Sequence, residues 1–318
     1  MDFISAAISG AAFGVAMTAA GFHDPSLIIA QMKFERWHML QAFMAATASS
    51  AIICCIVHEA YGVEIAPRRA SPLGLFVGNV IGGALLGVGI ALSGSCPGAL
   101  FAQLAAGKKT ACFTLAGAVM GAIVWTSHLS RLMPDTGPDW PGPERLGLSK
   151  TKAMLLLQTV CFAVIAMTPT PRGRANGAVG GLVIGLAQLV SLLTRRTMLG
   201  ASGSYQEVAF LLRRLAGNNG NSKTSPDGHG RNVAFAFGAV AGAWLLLRAA
   251  PTLAVNAASE PPAPFAFIGG CLMLLGATMA GGCTSGHGIS GIALLSPSSV
   301  VTMASVFAAG ASVAPLAY

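Results

Sequence analysis

Two cysteines stand in glycine-rich stretches whose pattern could bind an anion. Cys96 lies in the sequence GSCPG, and Cys283 lies in GGCTSGHG. Because proline favours the first turn of a helix, the first pattern predicts a short helix over 99–106, and we expect its counterpart over 289–295. Helix N-termini present free N–H groups and a positive dipole end, and each thiol adds an S–H donor and a polarizable sulfur. The two stretches together therefore predict an anion site.

Other side chains in these stretches are candidates for contacts with the same anion. Histidine inside a membrane segment is rare and commonly functional, so His287 is one of them, although it could instead hydrogen-bond a carbonyl. Gln103 could bond substrate oxygens or bridge two helices. The predicted substrate-binding side chains are Cys96, Cys283, His287, His23, Gln103, Ser95 and Thr284, and the predicted backbone contributors are Gly94, Pro97, Gly98, Gly282 and Gly286.

His23 is expected to line the entrance to this site. It stands in the sequence GFHDP, directly before Asp24. An unperturbed histidine titrates near pH 6.5, and both a nearby dianion and the Asp24 carboxylate favour its protonated form, so His23 would attract anions. The alternative is that His23 only caps a short helix beginning at Pro25.

Three other chemistries match residues in or near these stretches. Cys96, Cys283, His23 and His287 could form a Cys₂His₂ set that carries a soft transition metal. Ser202, in the sequence GASG, could be the nucleophile of an intramembrane serine protease with His287 as its base, but a polar stretch follows it. A low-pKa cysteine could accept a sulfane sulfur, as in a sulfurtransferase, but a thiolate would repel a dianion. We therefore predict a protein that is not an enzyme, with no catalytic residue, no metal ligand and no cofactor.

Composition shows which kind of fold must position these residues. Of 318 residues, 54% are hydrophobic and only 9% are charged, with a mean hydropathy of +0.68. A soluble domain carries about 25% charged residues, so this chain cannot cover a water-facing surface. The apolar runs are continuous rather than alternating, which excludes a membrane β-barrel. The net charge of +8 lies in short loops and at the ends of apolar runs, which is typical of membrane orientation and excludes nucleic-acid binding.

The apolar runs predict an all-α integral membrane protein with about nine transmembrane helices. A bilayer helix needs about 20 apolar residues. The predicted spans are 3–20, 37–59, 71–93, 109–131, 151–168, 175–194, 232–250, 263–281 and 297–316. Two surplus stretches, 93–107 and 281–295, are too apolar for solvated loops and too short to cross. We predict that both are re-entrant, since irregular backbone at membrane depth is tolerated where protein buries it.

The order of these elements predicts an inverted repeat. A span, a loop element, two spans, a cysteine-bearing re-entrant segment and a closing span occur twice, with one span between the two sets. The predicted domains are a first transmembrane repeat at 1–131, a loop and connecting span at 132–174, and a second repeat at 175–318. Glycines at four-residue spacing predict close helix packing. Transporters built from inverted repeats bind substrate at the midplane, often at broken helices.

The paired cysteine motifs resemble those of the YeeE/YedE family of sulfur-compound transporters, which includes thiosulfate importers. The resemblance covers nearly the whole chain. It implies that Cys96 and Cys283 correspond to two of three cysteines that line a narrow path and contact thiosulfate. The third follows Gly-Phe after the first span, where this chain has His23. The resemblance also implies that a small cytosolic sulfur-carrier protein can receive the product.

These observations together predict a multi-pass cell-membrane protein that imports a small sulfur-containing anion, thiosulfate, through the two cysteine segments. Of its nineteen Lys and Arg residues, we place twelve on the side of the N-terminus. The positive-inside rule then predicts a cytoplasmic N-terminus. The lipid bilayer, thiosulfate and the carrier protein are the expected partners. The five cysteines other than Cys96 and Cys283 are expected to be packing residues.

Overall fold

A computed structural model of the chain describes residues 2–62, 76–130, 149–169, 176–217, 230–253 and 260–318. Most of the two loops predicted at 132–150 and 217–231 lies outside these residues. So do seven of the positive charges used for the orientation prediction: Arg68, Arg69, Arg131, Arg145, Arg172, Arg174 and Lys223.

All regular structure in the described residues is helical. The α-helices are α1 (Asp2–Ala19), α2 (Pro25–Met32), α3 (His38–Tyr61), α4 (Val77–Ser93), α5 (Ala99–Ala105), α6 (Lys109–Val124), α7 (Lys150–Met167), α8 (Gly177–Arg195), α9 (Ser202–Leu215), α10 (Arg231–Ala249), α11 (Ala263–Met279) and α12 (Pro297–Ala317). Two π-helical segments, Trp125–Leu129 and Ser285–Gly291, and one 3₁₀ turn, Pro251–Leu253, complete them.

The long helices make this a multi-pass membrane protein. Within the described ranges, six helices are long and apolar enough to cross a bilayer: α3, α6 with its π-helical extension, α7, α8, α10 and α12. Three shorter apolar helices coincide with the remaining predicted spans: α1, α4 and α11. The all-α membrane fold is confirmed, while the number of crossings stays a prediction.

Glycines bring the helix backbones into contact, as their spacing predicts. In α1, Gly10 and Gly14 lie against the backbone of Phe235 and Ala239 in α10. A Cβ atom at either glycine would overlap a carbonyl oxygen of α10. Because lipid gives no hydrophobic drive for helix association, such close packing supplies much of the attraction between helices.

The order of these contacts gives the direction of each helix pair. Gly10 and Gly14 meet α10 in the order of its sequence, so α1 and α10 run parallel. The α3 and α8 helices run parallel in the same way, since Gly177 and Gly181 face His38 and Ala42. By contrast α4 and α11 are antiparallel: Gly82 faces Ala280, whereas Gly89 faces Met273.

Helices of each proposed repeat therefore pack against helices of the other repeat. The first helix of each proposed repeat contacts a helix of the opposite repeat, in the pairs α1 with α10 and α8 with α3. The pairs α4 with α12 and α11 with α6 follow the same rule. These pairs are the ones that a two-fold inverted repeat requires, and the repeat itself stays a prediction.

The connecting helix α7 lies at the edge of this bundle. It packs mainly against α3, where the Gln158 side chain donates to the Ala48 carbonyl at 3.0 Å. Leu155, Leu156 and Phe162 are exposed on its outer side. These apolar side chains are suited to contact with lipid.

Candidate functional site

The Cys96 segment is a sharp turn followed by the short helix α5. Gly94 ends α4 with a φ of 59°, a left-handed conformation that glycine adopts without strain. The Cys96 carbonyl accepts from Leu100 N at 3.0 Å, and its Sγ accepts from Ala99 N at 3.4 Å. Cys96 therefore caps the first turn of α5 through both its backbone and its thiol. Gly98 completes the turn where a Cβ would lie 2.9 Å from the Phe13 ring.

Cys283 precedes a helical segment of different geometry. The segment Ser285–Gly291 is π-helical and begins earlier than the half-helix predicted at 289–295, so that prediction is wrong in its start and its type. The Cys283 carbonyl accepts from His287 N at 2.8 Å. The Cys283 Sγ lies 3.1 Å from Ser285 Oγ and also accepts from Gly286 N. Gly282 N bonds the Ala277 carbonyl at 2.8 Å, which fixes the turn out of α11.

Helix α9 contributes to both cysteine segments, which the sequence reasoning missed. Its first N–H groups, those of Ala201 and Ser202, donate to Cys283 Sγ, the former at 3.4 Å. The hydroxyl of Tyr205, in the first turn of α9, donates to the Pro97 carbonyl at 2.7 Å. Its ring stacks on Phe101 with centroids 5.4 Å apart.

The two thiols lie close enough to interact electrostatically in a single buried cluster. Cys96, Cys283, Tyr205 and Thr284 form this cluster, which we call the thiol centre. None of the four is more than 3% exposed. The Thr284 hydroxyl lies beside Cys96, and its Oγ1 has no hydrogen-bond partner of good geometry. A buried hydroxyl without a partner costs free energy, so this atom is available to a ligand.

Three of the predicted contact residues hold the backbone around the thiol centre. His287 Nδ1 lies 3.0 Å from Ser299 Oγ, and its Nε2 lies 3.1 Å from the Ala280 carbonyl oxygen. Gln103 Nε2 donates to the Gly94 carbonyl at 2.9 Å, and Ser95 Oγ bonds the Cys96 carbonyl at 3.4 Å. The bridging alternative for Gln103 and the carbonyl-bonded alternative for His287 therefore describe the structure.

His23 does not lie in a solvated entrance. It is 5% exposed, and its Nε2 lies 2.8 Å from the Leu253 carbonyl oxygen. Burial lowers the pKa of its imidazole below 6.5, although the Leu253 carbonyl and Asp24 act in the opposite direction. Burial therefore favours the neutral imidazole in this structure, and the expectation that a bound dianion protonates His23 stays a prediction.

The capping alternative for His23 is wrong. Asp24 caps α2, since its Oδ1 accepts from Ser26 N at 2.9 Å and from Ser26 Oγ at 2.7 Å. His23 instead joins the end of α1 to the turn after α10.

Two of the alternative chemistries, the metal set and the serine protease, have no matching geometry in the part of the chain that the structure describes. No group of three or more His, Cys, Asp or Glu side chains there could hold a metal ion, so the proposed Cys₂His₂ set does not assemble. The ring nitrogens of His287 contact Ser299 and Ala280 rather than Ser202. The backbone N–H of Ser202 instead donates a hydrogen bond to Cys283 Sγ.

Comparison with known proteins gives a family match over most of the chain and relatives of a shorter part of it. The sequence model of the family described as sulphur transport matches residues 18–313. A probable transporter from Xylella fastidiosa strain Temecula1 is 33% identical over 138 residues, which cover 42% of this chain and 88% of that protein. A probable transporter from Xylella fastidiosa strain 9a5c is 32% identical over the same length, with the same coverage.

Proposed function

Because the chain belongs to the sulphur transport family, we propose that it imports a small sulfur-containing anion, thiosulfate, across the cell membrane by way of the thiol centre. Membership places it among membrane transporters of sulfur compounds. The choice of thiosulfate and the route past Cys96 and Cys283 are the proposal.

The proposal rests on the proximity of Cys96 and Cys283 to each other and to the Thr284 hydroxyl, which has no hydrogen-bond partner of good geometry. Two thiols from segments 187 residues apart in the sequence share a site with Thr284 Oγ1. Thiols and hydroxyls are neutral donors, so they can bond an anion without placing a second negative charge beside it. A thiolate 4 Å from a dianion would repel it by several kcal/mol at an effective dielectric constant of about 20.

Sulfur chemistry supports thiosulfate over sulfate as the substrate. The two anions have the same charge, and thiosulfate carries a terminal sulfur where sulfate has a fourth oxygen. Soft, polarizable sulfur contacts favour that terminal atom, whereas hydroxyl donors such as Thr284 suit the three oxygens. The two thiols and the hydroxyl can therefore together select thiosulfate.

Import follows from the orientation proposal, in which the N-terminus is cytoplasmic. Labelling of single cysteines introduced near Gly217 from the cytoplasmic side supports that orientation, and labelling from the outside alone reverses it. A small cytosolic sulfur-carrier protein as acceptor of the product belongs to the same proposal.

Growth and uptake test the function. In cells whose only route for thiosulfate is this protein, we expect growth on thiosulfate and uptake of radiolabelled thiosulfate to be lost in Cys96→Ala and in Cys283→Ala. Cys161→Ala is the matched control, since Cys161 is equally buried but lies on α7. Full growth of both thiol-centre variants, at wild-type protein levels, would show that the assignment is wrong. Uptake of a soft metal ion instead of thiosulfate would reinstate the metal alternative.

A further inference from the structure

A cavity of about 380 Å³ lies at the end of α3, away from the thiol centre. Its lining comes from three parts of the chain: α3, the start of the connecting helix α7, and residues 293–295, which begin two positions after the π-helical segment. The lining side chains include Cys54, Cys55, Met154 and Lys150, together with His58 and Glu59. We call it the α7 cavity.

Buried contacts connect the α7 cavity to Cys283. The Cys54 Sγ lies 3.5 Å from Met198 Sδ, and Gln188 Nε2 lies 3.2 Å from the same Sδ. The side-chain Oε1 of Gln188 accepts from Leu199 N at 3.3 Å. Two residues further along, Ala201 N donates to Cys283 Sγ.

A second line of contacts reaches the cavity from the π-helical segment. Ser290 Oγ donates to the Leu199 carbonyl at 2.8 Å and lies 3.4 Å from Gln188 Oε1. Leu294, one turn further on, lines the cavity and packs with Met198 and Cys54. The segment that presents Cys283 at one end thus forms the cavity wall at the other.

From this continuity, and on the basis of the proposed function, we infer that the α7 cavity is a second binding site for the transported sulfur anion, placed between Cys283 and the membrane face. The cavity offers a cation, Lys150, and the thiol of Cys55, whose donors match the charge and the terminal sulfur of such an anion, while the Cys54 thiol donates to Met198 Sδ. Two thioethers, of Met154 in the wall and Met198 behind it, extend the soft surface.

The charges around the cavity favour a weak site. The Lys150 ammonium attracts an anion, whereas the Glu59 carboxylate, in the same lining, opposes it. A site between the thiol centre and the membrane face must release its ligand readily, and this balance of charges suits that task. Lys150 and Met154 belong to α7, so the connecting helix supplies a wall that neither predicted repeat contains.

Site-resolved alkylation tests the inference in the full chain. The protein in lipid nanodiscs is treated with N-ethylmaleimide at rising thiosulfate concentrations, and mass spectrometry follows each cysteine. We expect thiosulfate to slow the modification of Cys55 by a factor of 1 + [L]/Kd, thus about tenfold near ten times Kd. Cys112, exposed on α6, is the control within the same molecule and corrects for reagent consumed by thiosulfate.

Two lysine variants distinguish binding in the α7 cavity from a general effect of positive charge. Lys150→Gln is expected to abolish the protection of Cys55 and to raise the apparent KM for uptake about tenfold, the usual effect of losing one charge-assisted contact. Lys152→Gln is the matched control, since Lys152 is exposed on the same turn and does not line the cavity. Equal effects of the two substitutions, or protection of Cys55 by sulfate as strong as by thiosulfate, would overturn the inference.

The thiol-centre variants distinguish this inference from the proposed function. Protection of Cys55 should persist in Cys96→Ala, which lacks a group of the thiol centre but none of the cavity. If Cys55 is not protected while Cys96→Ala and Cys283→Ala still abolish uptake, the cavity proposal fails and the proposed function stands. If neither variant affects uptake and Cys55 is not protected, both fail.

Discussion

Cys96 and Cys283 each precede a short helical segment, but their thiols accept hydrogen bonds from different parts of the chain. Cys96 Sγ accepts from Ala99 N and Gly98 N, in its own turn, and its neighbour from the other segment is the Thr284 hydroxyl. Cys283 Sγ accepts from its own segment and also from the first two N–H groups of helix α9.

This difference predicts that the two thiols have separate tasks. Helix α9 adds hydrogen bonds to Cys283 that Cys96 lacks. The link between Cys96 and the opposite segment is Thr284, whose hydroxyl lacks a partner of good geometry. We therefore expect a ligand to enter on the Cys96 and Thr284 side, where fewer protein contacts must be replaced.

The largest expected effect is a difference in stability between the Cys283→Ala and Cys96→Ala variants. Cys283→Ala leaves the N–H groups of Ala201, Ser202 and Gly286 without their acceptor, at a cost of about 1–3 kcal/mol for each group that stays unpaired. Cys96→Ala removes the acceptor only of N–H groups in its own turn. Thermal unfolding in detergent should therefore show a larger loss for Cys283→Ala, although both variants lose uptake. Equal losses would show that α9 does not hold Cys283 in place.

The next effect concerns Tyr205, which joins α9 to the Cys96 turn. Tyr205→Phe keeps the stack on Phe101 but leaves the Pro97 carbonyl unpaired, which should cost about 1–3 kcal/mol and lower the uptake rate. Tyr61→Phe is the control, since Tyr61 is exposed at the end of α3. Wild-type uptake by Tyr205→Phe would show that the two segments do not need this link.

A smaller effect of opposite sign is expected at Thr284. Thr284→Val removes a buried hydroxyl without a good partner, so the free energy of unfolding should rise by up to about 1 kcal/mol. The KM for thiosulfate should rise as well, because a substrate oxygen loses a donor. Thr18→Val removes another buried, unpartnered hydroxyl and should stabilise the protein without changing KM. An unchanged KM in Thr284→Val would show that this hydroxyl does not contact the substrate.

The smallest effect is the pH dependence of His23. Burial lowers the pKa of His23 below its ordinary 6.5, Lys108 acts in the same direction, and Asp24 opposes them. Stability from neutral His23 is therefore fully present above pH 6.5 and is lost as pH falls through the lower folded pKa. His23→Gln, with a donor for the Leu253 carbonyl, should flatten the wild-type loss of thermal stability on acidification while matching its uptake between about pH 6.5 and 7.5. A fall in wild-type uptake through that range, absent from the variant, would restore the entrance role.

Much of the fold could be predicted from the sequence because it depends on local patterns. Apolar runs marked α3, α8 and α12 to within a few residues, and glycine spacing marked the faces that touch. The interruption of the long helices at both cysteine segments also followed from their composition. These features require only the neighbouring residues in the chain.

The rest depends on contacts between distant segments. The Tyr205 hydroxyl bonds the carbonyl of Pro97, which lies 108 positions earlier in the chain. The sequence of α9 alone does not indicate such a contact. The partners of His287 arise because the segment widens into a π-helix, which residue types alone do not indicate. The burial of His23 comes from the turn after α10, so its low pKa could not be read from Asp24 beside it.

The parallel contact of α1 with α10 also constrains how the chain reaches its native state. During synthesis α1 enters the membrane more than 200 residues before α10 is made. Until then the glycine surface of α1 at Gly10 and Gly14 must face lipid or a chaperone, since its partner does not yet exist. Contacts of such large sequence separation slow folding. Substitutions on this face of α1 should therefore reduce the yield of assembled protein before they alter transport.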